Sequence, residues 1–324
     1  MYDGYVASDG GQLLGTLQVK VAKAGRDGLA KVTASFLPSD GSGKVAFRGG
    51  LADAGGAVTE MSAGGRTLRL TLGVDGLGGT LDGQAAVGAR SVFAGRTPAD
   101  KSAAADVLGA WAGTVNVVAP DVALSVNVAA KGKVKVAGAA GGAQVSASAQ
   151  LIAGDAWCAV PVVVSRKARL AFTLWLPRAG GAVTVEGLPD AVAGRSGALA
   201  GDARFRMDAA ALAAVLPGLL AGQLPDGLAV TGGAKWSVAK PGRVVFAKGT
   251  QEVDAEKAGE NPAGLRLTWR ARAGSFKGSF KAYAVEDGRI RAYAVNVAGV
   301  LVDGVGYGTA TLKKPACTFP VTVR

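Results

Sequence analysis

The chain has no histidine at all, only two cysteines, and aromatic side chains at just 6% of its 324 positions. Histidine is the usual general base near neutral pH and the commonest metal ligand. Its absence excludes Ser-His-Asp and Cys-His catalysis and any His-dependent zinc site. Cys158 and Cys317 alone cannot build a four-thiolate zinc centre within one chain. Any catalysis is left to carboxylates, lysine or tyrosine. Long apolar runs are missing too. The longest helical apolar stretch, "DAAALAAVLPGLLAG" from Asp208, is too short to span a bilayer and is broken by Pro217. Met1 runs straight into "YDGYVAS", so no signal peptide is expected within these residues. The expectation is a fragment, or a mature chain without its leader.

What the chain has instead is glycine, 50 residues of it, within a composition that is 49% hydrophobic and built largely on alanine and valine. That is enough apolar surface for real cores, and the length suits two or three domains. The alternation is period two. In "GTLQVKVAKAG" Leu17, Val19 and Val21 oppose Gln18 and Lys20. "RTLRLTLGVDG", "ALSVNVAAKG", "RLAFTLWLP" and "GLRLTWRARAG" repeat the pattern. Such runs read as antiparallel strands with one face in and one face wet. Turn signals stand between them, including "PSDGSG", "RAGG" and "VEDGR".

The expected fold is mainly β: two to three antiparallel barrel- or sandwich-like modules with one short helical insertion. Similar strand patterns starting at Leu17, Leu124 and Leu265 suggest duplicated modules. The expected boundaries are a first β module over 1–97, a linker over 98–108 and a second module over 109–200. A helical insertion over 201–228 follows, and then a C-terminal module over 229–324 that packs with or completes the second. Within the insertion, Asp208 is the expected N-cap, and Pro217–Gly218 stops the helix. The helix is expected to cap a barrel end or cover a sheet edge.

The order "YDGYVAS…GTLQVKV…GLAKVTASF…KVAFRGGL…RTLRLTLGVD…GGTLDGQ" resembles the glycine-rich β repeats of large secreted bacterial proteins, as does the closing stretch from "NPAGLRLTWRARAGSFKGSFKAYA" to "VTV". The resemblance implies a secreted or cell-surface protein with no catalytic motif to transfer.

Net charge is +12, and from Leu265 onward ten basic residues face three acidic ones. Within this section Lys277, Lys281 and Tyr283 share one face of a strand, and Arg289, Arg291 and Tyr293 share a face of the next. Strand pairing across "VEDG" would join the two sets into one basic-aromatic surface for an acidic glycan; the alternative is the solvated side of a sheet. Nucleic acid, which would stack bases on such aromatics, is disfavoured, because a basic-aromatic sheet face suits acidic glycans equally and the chain looks secreted. Among the five tryptophans, Trp175 falls on the polar side of its strand and is the expected exposed platform for a sugar ring, whereas Trp269 falls on the core side. Cys158 and Cys317 either form a disulfide, as export favours, or stay as buried thiols. Carboxylates such as Asp75, Asp82, Glu252, Asp254 and Glu256 lie in turn-like or polar stretches. No cofactor or metal is expected.

The resulting expectation is a non-enzymatic extracellular or cell-surface protein with a structural, adhesive or assembly role, partnered by acidic glycans or by its own copies through strand edges. A carbohydrate-binding module and a carboxylate-only enzyme are the alternatives.

Overall fold

In the computed structural model the described residues are 1–324 except 9, 53–57, 73–76, 83–84, 88–110, 112, 121, 130, 142, 154–155, 165–169, 189–190, 195–201, 228, 232–234, 237–262 and 271–273. The chain divides into two compact units. The first comprises Met1–Gly113, Val126–Val136 and Val145–Val192; the second comprises Thr114–Ser125, Ala137–Gln144 and Ala193–Arg324. The expected linker at 98–108 lies outside the described residues.

The first unit opens with β1 (Tyr2–Ser8), β2 (Leu13–Val21), β3 (Leu29–Pro38), β4 (Val45–Ala52), β5 (Val58–Ala63), β6 (Arg66–Leu72), β7 (Leu77–Leu81) and β8 (Ala85–Val87). They form one antiparallel sheet in the order β4-β3-β2-β1-β8-β7-β6-β5. This is an up-and-down meander in which the first and last strands pair, Val6 opposite Val87 and Ser8 opposite Ala85. The alternation in the sequence drives the curl. Val6, Leu17, Val19, Phe36, Phe47, Met61, Leu68 and Leu70 point inward and form a single buried cluster, while Gln18 and Lys20 remain exposed. The two free edges also approach each other: a Cβ on Gly49 of β4 would stand 2.6 Å from Met61 Cγ of β5.

The second unit contains another eight-stranded sheet. It is made of β18 (Asp202–Met207), β19 (Ala229–Thr231), β20 (Lys235–Trp236), β21 (Arg266–Arg270), β22 (Ser275–Glu286), β23 (Arg289–Val302), β24 (Val305–Lys313) and β25 (Ala316–Val323). The order is β19-β18-β25-β24-β23-β22-β21-β20, again a meander whose first and last members pair, Phe205 opposite Val323 and Met207 opposite Val321. Phe205, Leu267, Phe276, Phe280, Val295, Leu312 and Phe319 meet in its core. Two-residue turns set the long hairpins. Asp287–Gly288 and Asp303–Gly304 all have positive φ, the type I′ geometry that matches strand twist.

Between these sheets in sequence run β9 (Gly113–Ala119), β10 (Val122–Val128), β11 (Lys133–Ala140), β12 (Ala143–Gln150), β13 (Ile152–Ala153), β14 (Trp157–Val163), β15 (Ala171–Pro177), β16 (Thr184–Glu186) and β17 (Val192–Gly194). They order as β12-β11-β10-β9-β17 and β13-β14-β15-β16. If β12 and β13 are counted as one bent strand, the rule recurs a third time, with first and last strands as neighbours.

The stretch expected to be helical opens as a strand, because "DARFRM" is β18. The helix α1 (Ala209–Val215) follows, with the Asp208 carboxylate accepting from the Ala211 amide at 3.0 Å as N-cap. Leu212 and Leu216 enter the second unit's core. Beyond the helix the chain binds the end of β22: the Leu220 amide donates to the Tyr283 carbonyl at 2.8 Å and the Val285 amide to the Gly218 carbonyl at 2.9 Å. This strap satisfies backbone groups that β21, pairing only with Ser275–Ser279, leaves free.

Candidate functional site

In the first unit the β14–β15–β16 sheet builds a concavity. Register determines its composition. Across β14 and β15, Trp157 lies opposite Pro177 and Ala159 opposite Trp175; across β15 and β16, Trp175 lies opposite Thr184 and Thr173 opposite Glu186. Residues directly opposite on antiparallel strands share a face. Trp157, Trp175, Pro177, Thr184 and Glu186 therefore converge on one side, around a cavity of about 390 Å³, within the usual range of ligand pockets, ~300–1,000 Å³.

The two indoles stand nearly at right angles, 72° apart with ring centroids at 4.0 Å. Tyr5 meets Trp175 edge-on, with centroids 6.0 Å apart. The Trp175 Nε1–H donates to Glu186 Oε2 at 2.8 Å, which fixes both side chains. The β1–β2 turn presses on the same carboxylate: a Cβ on Gly11, where φ is +82°, would lie 2.4 Å from Glu186 Oε1. The Trp111 Nε1–H donates to the Pro177 carbonyl and anchors the rim. The result is an aromatic corner with one carboxylate beside it.

This placement corrects the expectation for Trp175. It is only 6% exposed, clustered with Tyr5, Ala7, Leu13, Ile152 and Ala159. Period-two reasoning assumed one wet face, but β15 is covered on both: Phe172, Leu174 and Leu176 are buried on one side and Thr173 and Trp175 on the other. Trp157 is a half-buried wall of the cavity. Sequence reasoning missed Glu186, although pairing β15 with β16 across "RAGG" would have brought it to this face. Trp269 is buried, as its strand face implied.

The basic hairpin also differs from its expected surface. β22 and β23 do pair across the Asp287–Gly288 turn, but Lys281 lies opposite Ala294, Tyr283 opposite Ala292, Ala282 opposite Tyr293 and Ala284 opposite Arg291. Lys277, Lys281 and Tyr283 thus share the outer face, while Tyr293 and Arg291 fall on the face of the buried Ala282 and Ala284. The two sets lie on opposite sides of the hairpin. A two-residue turn puts an odd residue opposite an even one, so the odd-numbered residues of the two strands cannot share a face. On the inner side Arg291 Nε lies 3.1 Å from Glu286 Oε2, and the Tyr293 hydroxyl donates to Glu286 Oε1. That hydrogen bond, with lesser contributions from desolvation and the Glu286 charge, raises the Tyr293 pKa above 10.0. Burial raises the pKa of Tyr283. Arg289 sits at the hairpin end opposite Glu286 and is exposed.

Cys158 and Cys317 form no disulfide. Cys158 is sealed in β14 of the first unit, and Cys317 is half-buried in β25 of the second, where desolvation raises its pKa above 9.0. Asp82 is a turn residue with φ of 56°, its carboxylate accepting from the Thr67 amide at 2.6 Å. Asp75, Glu252, Asp254 and Glu256 lie outside the described residues. Among the described residues no group of three or more Cys, Asp or Glu side chains is placed to hold a metal ion, and no helix is long and apolar enough to cross a membrane. No protein-family model, curated protein or solved structure matches this chain.

Proposed function

We propose that this chain is a non-enzymatic β-repeat protein of the cell surface or exterior with an adhesive role. The observation that supports it is the recurrence of one construction rule, a meander closed by its first and last strands, in successive stretches of the chain. Repetition of a rigid unit multiplies presented surface without adding a reaction centre. Pairing first strand with last leaves β4 and β5 at the edges of one sheet and β19 and β20 at the edges of the other. Adhesion works through faces and pockets, including the outward Lys277–Lys281–Tyr283 face as a contact for acidic glycans.

The test is protease shaving of intact cells that make the protein, together with attachment of beads coated with the purified chain to glycan-bearing surfaces. Digestion from outside and salt-sensitive attachment are expected. Protection from protease until the cells are lysed, or beads that attach no better than uncoated ones, would overturn the reading.

A further inference from the structure

We propose that the Trp157–Trp175–Glu186 pocket binds a methylated ammonium group. This goes beyond the adhesive reading and does not depend on it. Three observations converge. Trp157 and Trp175 both line the cavity, their ring planes 72° apart; tryptophan is the strongest of the aromatic partners for a cation. Glu186 stands at the same corner with Oε2 held by the Trp175 Nε1–H, and among the described residues no cation pairs with it. Of the remaining walls, Pro177 and Val185 have apolar side chains and Thr184 adds one hydroxyl.

That balance selects among cations. A primary ammonium brings three donors and a firmly held hydration shell, and one carboxylate already bonded to an indole, with one hydroxyl nearby, cannot replace it. A trimethylammonium group carries its charge on methyls, needs no acceptors and loses little on desolvation. Its charge is met by the carboxylate and the indole faces. A sugar ring would need a broad open aromatic platform with several hydrogen-bonding neighbours, whereas Trp175 is 6% exposed and its N–H is already given to Glu186.

The experiment is a tryptophan-fluorescence and calorimetric titration of the full chain with choline, with 3,3-dimethylbutan-1-ol as its uncharged isostere, with ethanolamine as the primary amine, and with maltose. Choline is expected to bind saturably and at least about tenfold more tightly than the neutral isostere or ethanolamine. Trp157→Ala should abolish binding. Glu186→Gln, which keeps the hydrogen bond from Trp175, should weaken it about fivefold to tenfold. Both variants are checked by circular dichroism for unchanged strand content, and Glu186→Gln keeps the test decisive if Trp157→Ala misfolds. Flotation with phosphatidylcholine vesicles, compared with vesicles lacking choline headgroups, identifies the source. Choline-dependent flotation lost in the variants supports a lipid headgroup; free choline binding without flotation supports a soluble methylated amine. Equal affinity for the isostere, binding of maltose but not choline, no saturable response, or wild-type affinity in both variants would each overturn the proposal.

Discussion

Gly299→Ala tests the packing of the second unit's core at its tightest point. Gly299 lies in β23 opposite Gly308 of β24, and the Phe276 ring lies over both backbones. A Cβ at position 299 would stand 2.4 Å from Phe276 Cζ and 2.3 Å from the Tyr307 carbonyl oxygen; at Gly308 the distances to Phe276 Cζ and the Ala298 carbonyl are 2.9 and 2.4 Å. The ring cannot swing aside without leaving a core where it is 2% exposed. The carbonyl cannot move without breaking the ladder that pairs Val300 with Tyr307. Overpacking of this kind usually costs about 1–3 kcal/mol, and a clash with fixed backbone belongs at the upper end. A loss of about 3 kcal/mol corresponds to a melting temperature roughly 10 °C lower for a sheet of this size. Differential scanning calorimetry is the suitable assay, because a chain of two units need not unfold in one step. Gly78→Ala serves as control: nothing lies within 4 Å of its Cβ position and its φ is not in the left-handed region, so the expected change is within about 0.5 kcal/mol. Combining Gly299→Ala with Phe276→Leu should cost less than the sum of the two, by roughly 0.5–3 kcal/mol, because the smaller side chain withdraws from the clash. Gly299→Ala melting at the wild-type temperature, or strict additivity with Phe276→Leu, would refute the seating of Phe276 on glycine backbone.

The other predictions concern single groups. Asp208→Ala removes the N-cap of α1 and should cost about 1 kcal/mol in urea unfolding, with Asp208→Ser restoring most of it. Under native conditions Cys317 should react slowly with a thiol reagent and Cys158 only after denaturant is added, and the intact mass should be unchanged by reductant. Ultraviolet titration at alkaline pH should show Tyr293 ionising later than a free tyrosine, and Glu286→Gln should move it back down. Its folded pKa is raised, so this contribution to stability is fully present below pH 10 and declines as pH climbs through the folded value.

Much of the fold was legible because a meander is a local object: each strand pairs with its sequence neighbour, so alternation and turn chemistry nearly determine it. Leu17 and Val19 inward, Gln18 and Lys20 outward, and Asp208 as cap all follow from the residues alone. What pairing could not convey is what covers the second face of a strand. Trp175 was assigned to water because it falls on the side of its strand that carries Thr173, yet it packs against Tyr5, from a strand some 170 positions earlier. The basic hairpin failed on register: grouping residues strand by strand requires knowing which parity faces in, and that depends on the turn length between Glu286 and Arg289. Glu186 escaped notice because a single glutamate in a short strand carries no motif; only its hydrogen bond to Trp175 marks it.

The pairing of first with last strand also sets how the protein responds to load. In the second unit β18 enters where β25 leaves: Phe205 faces Val323, two residues before Met207 faces Val321, and Arg204 and Arg324 exchange backbone hydrogen bonds just outside. Tension applied between those two chain ends meets the rungs one at a time, starting with the Arg204–Arg324 exchange, rather than shearing them together. Such a seam peels at low force and closes again when slack returns. A tether made of such units yields progressively under pull instead of holding rigid until it snaps.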